Sequence, residues 1–210
     1  KSINWDSFLD FVKDKPIKLI EINSPSYLEN ETEPYDVLLL RLTEDLVENN
    51  ETIINSFTKY LQDNPKIRVI DSISGQITIS DRQLMINAIK NLNLCVPKSI
   101  CMNFTEKIPS DFQYPIICKH KDAVAGSNSH IMDVICNEKS LNALYEEKHK
   151  TNESYIFQEY INHSGTIFKV YVIGSYIDVQ RRVSFPDFPF EGQNPDIPFN
   201  FNSQKWKHEL

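Results

Sequence analysis

Residues 119–130, KHKDAVAGSNSH, combine residue types that bind phosphate groups. Lys119 follows an apolar stretch and supplies a compact positive charge, and Gly126 is followed by small polar residues whose backbone N–H groups can surround an anion. His130 closes the stretch, either as a second cationic group or as ordinary polar surface. A glycine-containing hairpin turn explains the same residues without a ligand. The stretch therefore indicates either a phosphate-binding loop or a turn.

Further cations fall on two predicted strands nearer the C-terminus. Lys169 lies in the middle of the stretch IFKVY, and the alternation of a strand places it on the same face as Tyr171. Arg181 and Arg182 close the next predicted strand. If the two strands are neighbours, these cations converge on one cleft. A small polyanion is the class of ligand that such a cluster fits.

The segment Gln158-Glu159-Tyr160-Ile161 follows one predicted strand and leads into another. Extended backbone at this point pairs either with a purine edge or with a neighbouring strand. The sequence contains neither the G-x-x-x-x-G-K-[ST] phosphate loop nor the kinase G-x-G-x-x-G loop. From the residues alone, the chain is therefore predicted to be a nucleotide- or polyphosphate-binding α+β protein.

The elements that position these residues begin with a small α/β lobe. Apolar residues at helical spacing predict helices at residues 5–12 and 53–61. Apolar runs predict strands at residues 17–22, 36–40 and 66–70, and the run at 36–40 is typical of a buried strand in a parallel sheet. Alternating helices and strands of this kind favour an α/β lobe.

The pattern after about residue 75 becomes richer in strands. Ser80 and Gln83 form a capping-box pattern that predicts the start of a helix. The stripe predicted to be buried on that helix comprises Leu84, Met85, Ile89 and Leu92. Strands are predicted at residues 115–119, 131–136, 155–160, 167–173 and 176–183, with one helix at 138–147. Residues 184–203 are rich in Phe, Pro and Asn without periodicity and are predicted to form a loop.

Composition limits the classes of partner. The net charge of −7 gives no broad basic face for nucleic acid. No apolar run reaches the roughly 18 residues needed to span a bilayer, and the first residues carry no apolar signal segment. The four cysteines show no C-x-x-C spacing, so we expect them to be reduced and buried in a cytoplasmic monomer.

Five ordered blocks of the sequence resemble one family of kinases. The blocks are YDVLLLRLTEDLV, ISDRQLMINAI, YPIICKHKDAVAGSNSHIM, FQEYINHSGTIFKVYVIG and QRRVSFPDF. They resemble the inositol 1,3,4-trisphosphate 5/6-kinases, also called inositol tetrakisphosphate 1-kinases. The resemblance covers nearly the whole chain and is weak before residue 35. It implies an ATP-grasp architecture of α/β and α+β lobes, incomplete at both ends.

The resemblance also implies a division into lobes and a set of ligands. A substrate-side α/β lobe is expected at residues 1–75, a central ATP-grasp lobe at 76–158, and the start of a C-terminal ATP-grasp lobe at 159–210. ATP and Mg²⁺ are the expected cofactors, and an inositol polyphosphate is the expected substrate. The implied nucleotide-binding residues are Arg82, Lys119, Gly126, Gln158, Glu159, Arg182 and Ser184. The implied substrate-binding residues are Arg41, His130 and Lys169, of which His130 and Lys169 are also the implied catalytic residues.

The chain departs from the family pattern at both ends. The family begins with a further strand that carries a substrate-side lysine, and it ends with an Asp and a D-x-N strand that bind magnesium. No D-x-N follows Gln158 here, so no metal ligand is assigned within the chain. We expect either a piece of a longer gene product, inactive as a kinase by itself, or a degenerate family member. Another ATP-grasp carboxylate–amine ligase and a non-catalytic nucleotide- or inositol-phosphate-binding module are the alternative functions.

Overall fold

A computed structural model describes residues 4–22, 24, 26–29, 35–124 and 126–203 of the chain. Its N-terminal part is built on two parallel strands, β1 and β2, that pair Val37 with Arg68 and Leu39 with Ile70. The elements in chain order are α1 (Trp5–Val12), α2 (Ser26–Glu29), β1 (Val37–Leu39), α3 (Thr43–Val47), α4 (Glu51–Asp63) and β2 (Arg68–Ile70). The helices predicted at residues 5–12 and 53–61 and the strand predicted at 66–70 are thereby confirmed.

The core of this N-terminal part lies on one side of β1. Leu38 and Leu40 are buried beside Phe57 of α4, whereas Val37 is 48% exposed. The prediction of a strand in a parallel pair is confirmed for residues 37–39. The prediction of a buried strand is wrong for one face, since Val37 and Leu39 are exposed and helices cover only the other side of this small sheet in the described part of the chain.

The strand predicted at residues 17–22 is wrong. These residues form no regular element. A strand needs a neighbour that completes its ladder of hydrogen bonds. Among the described residues, β1 and β2 pair only with each other, so neither supplies that neighbour. Residues 17–22 have the composition of a strand, but the described residues contain no partner strand for them.

Two helices connect the N-terminal part to the central sheet. Helix α5 (Ile73–Ser80) was not predicted, and α6 (Arg82–Asn91) begins one residue later than the Ser80–Gln83 pattern requires. Asp81 is the N-cap of α6, since its carboxylate accepts hydrogen bonds from the amides of Gln83 and Leu84. The Ser80 hydroxyl donates instead to the carbonyl of Gln76, at the end of α5.

The expected buried stripe of α6 is also partly wrong. Leu84 and Leu92 are exposed, and Ile86 is the residue of this helix that is buried.

The central sheet has five antiparallel strands. They are β3 (Ser99–Met102), β4 (Ile116–His120), β5 (Ile131–Ile135), β6 (Tyr155–Glu159) and β9 (Phe199–Asn202), in the order β3-β6-β4-β5-β9. The strands predicted around β4, β5 and β6 are confirmed, and so is the helix between β5 and β6, which is α7 (Glu138–Lys148). Strand β3 was not predicted. The predicted boundaries between lobes, after residues 75 and 158, stay predictions.

Both faces of the central sheet are covered in part. On one face, Cys118 and Phe157 pack with Leu144 of α7. On the other face, Ile117 and Val134 pack with a phenylalanine cluster contributed by the segment after residue 184. That cluster comprises Phe185, Phe188, Phe190, Phe199 and Phe201. The prediction of a loop for residues 184–203 is wrong at β9, where FNFN alternates with the period of a strand.

The remaining strands form a separate two-stranded hairpin, β7 (Thr166–Ile173) and β8 (Tyr176–Val183), as predicted. Its apolar side chains are widely exposed, for example Phe168 at 68% and Val172 at 63%.

The four cysteines are free thiols, but the expectation that all are buried is wrong because Cys95 is exposed. Within the described residues, no helix is long and apolar enough to cross a membrane.

Asp81 gives a test of how α6 is fixed to the sheet. Burial by itself raises the pKa of Asp81, but the hydrogen bond from Lys121 and the two capping amides together lower it. Because the folded pKa is depressed, the stabilisation is present above the unfolded pKa and is lost as pH falls through the folded pKa. Asp81→Ala should lower the free energy of unfolding by about 1–2 kcal/mol near neutral pH, measured by urea denaturation.

The matched variant is Asp81→Asn, which keeps an N-cap oxygen and removes only the ion pair with Lys121. It should cost less than about 1 kcal/mol. Equal losses in the two variants near neutral pH would contradict the capping role.

Candidate functional site

Lys119 and Gln158 meet on the face of the central sheet that also carries the phenylalanine cluster. Ile117 is the register partner of Gln158 across β4 and β6, and Lys119 lies two residues further along the same face of β4. The Lys119 Nζ donates a hydrogen bond to Gln158 Oε1 at 2.7 Å. The two residues predicted from separate segments are thus brought into direct contact.

The amine of Lys119 is a cation enclosed by protein, although part of the side chain is still accessible. Burial, reinforced by the positive charge of Arg82, lowers the pKa of Lys119 to about 8. Its hydrogen-bond partner, the Gln158 amide, is neutral. Within the described part of the chain, no carboxylate forms an ion pair with Lys119. A desolvated cation without a counter-ion favours the binding of an anion.

Arg82 fastens the loop that leads away from Lys119. Its guanidinium donates to the carbonyls of His120 at 2.6 Å, Asp122 at 2.9 Å and Ser129 at 2.8 Å. These three carbonyls come from the end of β4 and from both ends of the loop before β5. Burial lowers the pKa of Arg82, and the nearby carboxylate of Asp122 partly opposes this. Arg82 therefore determines the shape of the loop.

The same loop is held against the start of α6 by a second set of contacts. Lys121 pairs with Asp81 at 2.6 Å, and the Arg82 amide donates to the Lys121 carbonyl at 3.0 Å. The amide of Ala123 donates to the Ser80 carbonyl at 2.7 Å. Lys121 is consequently engaged in an ion pair with Asp81. The side chain of Lys119 lies instead on the face of the sheet that carries Gln158.

The loop is longer and more structured than a tight hairpin turn. Its second half is a short 3-10 helix, Gly126–His130, in which Gly126 has a φ of 64°. A residue with a side chain is strained at that φ. The Ser129 hydroxyl is buried and donates to the Gly126 carbonyl at 2.8 Å. Ala125 lies outside the described residues. The stretch connects the paired antiparallel strands β4 and β5, so it is a long hairpin connection, and phosphate binding by it stays a prediction.

His130 and Glu159 occupy the far ends of the site. His130 ends the 3-10 helix and begins the return into β5, where its carbonyl accepts from the Ser203 amide at 2.9 Å. Glu159 ends β6, and its carboxylate accepts from the Gln113 amide at 3.1 Å. The structure therefore places these two residues at opposite ends of the strand pair β4 and β6, which carries Lys119 and Gln158.

The remaining predicted site residues lie outside this cluster. Lys169 and Arg182 lie on the β7–β8 hairpin, while Arg181 is on its opposite face and donates to Thr166 Oγ1 at 3.2 Å. The predicted convergence therefore includes Arg182 and not Arg181. Arg41 follows β1 in the N-terminal part and is exposed.

Ser184 lies where the chain returns from the hairpin to the phenylalanine cluster. Its hydroxyl contacts His163 Nε2 at 3.2 Å, and the Tyr160 hydroxyl contacts the same nitrogen at 3.1 Å. Burial, with the negative charge of Asp187, raises the pKa of Tyr160 to about 12, so its hydroxyl stays protonated at neutral pH. His163 thereby connects β6 to the predicted nucleotide-binding Ser184.

Comparison with known proteins assigns the chain to a family. The profile of the inositol 1,3,4-trisphosphate 5/6-kinase ATP-grasp domain matches residues 88–205. The chain belongs to this family. The match contains Lys119, Gln158 and the hairpin, and it identifies the central sheet and its surroundings as an ATP-grasp fold.

Curated relatives agree with this assignment at modest identity. The inositol-tetrakisphosphate 1-kinase of Danio rerio is 26% identical over 223 residues, which cover 97% of this chain and 54% of the relative. Inositol-tetrakisphosphate 1-kinase 1 of Oryza sativa subsp. indica is 28% identical over 215 residues, covering 96% of this chain and 57% of the relative. The chain spans about half the length of the curated relatives it matches.

A solved structure of an ATP-grasp RimK-domain protein from Sphaerobacter thermophilus covers 58% of this chain and 47% of its own chain. The TM-score is 0.47 and the identity is 14%. The ATP-grasp assignment rests on the family profile and not on this partial likeness.

Across residues 4–22, 24, 26–29, 35–124 and 126–203, no three His, Cys, Asp or Glu side chains lie close enough together to hold a metal ion.

Three residues of the site were missed at the sequence level. Asp81 and His163 act through contacts with residues distant in sequence, which local patterns do not reveal. Tyr171 was noted only as a neighbour of Lys169 on a strand face. Its hydroxyl contacts Arg182, which strand alternation alone does not indicate.

Arg82→Lys tests whether Arg82 shapes the loop. A lysine keeps the charge but cannot reach three carbonyls in the planar geometry of a guanidinium. We expect backbone amides of residues 122–130 to exchange hydrogen at least about ten-fold faster, since a hydrogen bond from a charged group contributes about 1.5–3 kcal/mol. Amides of α7 serve as the internal control. Unchanged exchange in the loop would contradict the anchoring role.

Proposed function

We propose that the protein transfers the terminal phosphoryl group of ATP to a hydroxyl of an inositol tris- or tetrakisphosphate. Family membership supports this reaction class, and so do the names of the curated relatives, which are inositol-tetrakisphosphate 1-kinases. The observation that carries the proposal is the enclosed amine of Lys119, which contacts Gln158 and has no ion pair to a carboxylate in the described residues.

Lys119 is proposed to bind the phosphates of ATP. An anion would replace the missing counter-ion and favour the charged form of the amine. Gly126 and its loop would cover those phosphates with backbone N–H groups. Arg82 is proposed to contribute by holding the loop, because its guanidinium already bonds three carbonyls.

The adenine side of the nucleotide is assigned to the end of β6. Gln158 and Glu159 lie at that end, adjacent in sequence to Tyr160, where β6 leads towards the hairpin. Arg182 and Ser184 are proposed to contact the nucleotide from the hairpin and its return segment.

The inositol phosphate is proposed to bind the cations His130, Lys169 and Arg41. His130 and Lys169 would pair with phosphates on the ring, and both are also the proposed catalytic residues. Arg41 would contribute a further cation from the N-terminal part, where the family usually has lysine. An arginine at that position keeps the charge and changes the geometry of the contact.

Phosphoryl transfer depends on alignment and charge neutralisation more than on covalent help from the protein. ATP supplies the phosphoryl group that is transferred. Lys119 would hold its phosphates, and His130 and Lys169 would hold the acceptor so that its hydroxyl lies in line with the terminal phosphorus. Mg²⁺ use is proposed from the family alone, and no step is assigned to it here.

Two properties of the protein are proposed together with the reaction. We infer a cytoplasmic location because the four cysteines are free and show no spacing typical of a disulfide framework. We also infer that the protein is monomeric and binds neither nucleic acid nor membrane, from its acidic net charge of −7.

Lys119→Met tests the proposed nucleotide contact. Methionine keeps a similar volume but removes a charge-assisted contact of about 1.5–3 kcal/mol, so the affinity for ATP should fall at least about ten-fold by calorimetry. The thermal midpoint should rise at the same time, because the variant no longer buries an unpaired cation. Lys119→Arg is the control variant, because it changes the side chain but keeps the positive charge that Lys119→Met removes. Unchanged ATP affinity in Lys119→Met would contradict the assignment.

The reaction itself is tested by incubating the protein with ATP and inositol 1,3,4-trisphosphate or an inositol tetrakisphosphate and separating the products. The proposal predicts an inositol phosphate with one more phosphate group and ADP in equal amounts. The full-length gene product is the protein to use, since a piece of it is expected to be inactive as a kinase. ATP binding without product would then indicate the non-catalytic module. Turnover only with a carboxylate and an amine would indicate the ligase.

A further inference from the structure

The two faces of the β7–β8 hairpin differ in chemistry. Register pairs Lys169 with Gln180, Tyr171 with Asp178 and Ile167 with Arg182, and paired residues lie on the same face. We call the face that carries Lys169, Tyr171, Asp178, Gln180 and Arg182 the polar hairpin face. The opposite face carries Phe168, Val170, Val172, Ile177 and Val179, with Thr166, Arg181 and Val183 at the end away from the turn.

Tyr171 contacts both cations of the polar hairpin face. The Lys169 Nζ lies 5.6 Å from the centroid of the Tyr171 ring. The Tyr171 hydroxyl accepts a hydrogen bond from Arg182 Nη2 at 3.0 Å. One aromatic side chain thus connects a lysine on β7 to an arginine on β8.

A short chain of hydrogen bonds continues from this arginine. Arg182 Nη2 also donates to Gln180 Oε1 at 3.3 Å, and Gln180 Nε2 donates to Asp178 Oδ2 at 2.8 Å. The carboxylate of Asp178 therefore reaches Arg182 through a neutral amide and not as a direct ion pair. The positive charge of Arg182 stays available to an anion.

The contacts made by Tyr171 restrict two long side chains that would otherwise be mobile. Lysine and arginine lose much rotamer freedom when they are fixed, and like charges on one face repel each other. A cation over an aromatic ring and a hydrogen bond to its hydroxyl both offset these costs before a ligand arrives. The backbone of Tyr171 pairs with Asp178 in the ladder whatever its side chain is, and the residue is 36% exposed.

We propose that Tyr171 is a positioning residue that holds Lys169 and Arg182 in a fixed arrangement for two separate phosphate groups. The inference rests on the proposed function, in which Lys169 contacts the inositol phosphate and Arg182 contacts the nucleotide. The hydroxyl of Tyr171 acts on the nucleotide through Arg182. Its ring acts on the inositol phosphate through Lys169.

Two variants of Tyr171 separate these contacts. Tyr171→Phe removes the hydroxyl and keeps the ring beside Lys169, whereas Tyr171→Leu removes both. We expect Tyr171→Phe to weaken ATP binding about three- to ten-fold and to leave the affinity for inositol 1,3,4-trisphosphate within about two-fold. Tyr171→Leu should weaken both. Tyr176→Phe is the matched control, since Tyr176 lies on the same face at the turn end and is 65% exposed.

A double-mutant cycle tests whether Tyr171 acts through Arg182. Calorimetry with ATP is performed on Tyr171→Phe, Arg182→Ala and the combined variant, with thermal melting of each to detect misfolding. The proposal predicts that Tyr171→Phe has no further effect once Arg182 is alanine. Additive losses, or unchanged ATP affinity in Tyr171→Phe while the wild type binds ATP, would overturn the inference and leave the proposed function standing. A wild-type protein that binds neither ATP nor inositol 1,3,4-trisphosphate would overturn the proposed function and the inference with it.

Discussion

The amine of Lys119 is a positive charge that the fold encloses without a compensating carboxylate in the described residues. An enclosed charge of this kind costs stability, so its surroundings must hold it in place. The adjacent strand β6 provides Gln158 as a neutral acceptor. The residues before Lys119 on β4 are buried, Ile117 against the phenylalanine cluster and Cys118 against α7. A bound polyanion would offset this cost, which is why phosphate binding is proposed for Lys119.

The segment around Lys119 is fixed from the direction of α6. Arg82 bonds carbonyls at the end of β4 and at both ends of the following loop, and Asp81 both caps α6 and pairs with Lys121. The two adjacent residues Asp81 and Arg82 thereby join the start of α6 to the loop. Arg82 is also close enough for its positive charge to lower the pKa of Lys119. The guanidinium of Arg82, one of the positions predicted to bind nucleotide, is already engaged with three carbonyls, so its proposed contribution is to hold the loop.

Sequence patterns predicted the strands that carry the site more reliably than the contacts within it. Strands β4 to β8 follow from alternation and apolar runs, because both patterns can be recognised within a few neighbouring residues. The segment Ile17 to Ile22 failed because a strand also needs a partner, and Ser80 failed because Asp81 competes for the same cap. The contact of Lys119 with Gln158 depends on register across 39 residues, which only the folded sheet determines.

The most direct test of this account is the titration of the Lys119 side chain, followed by NMR in protein with labelled lysines and assigned with Lys119→Arg. Without ligand, the pKa of Lys119 should be about 8. Saturating ATP should raise it by at least about one unit, because an adjacent anion favours the charged amine. An ordinary pKa of about 10.4 in the free protein, or a pKa that does not change with ATP, would contradict the account.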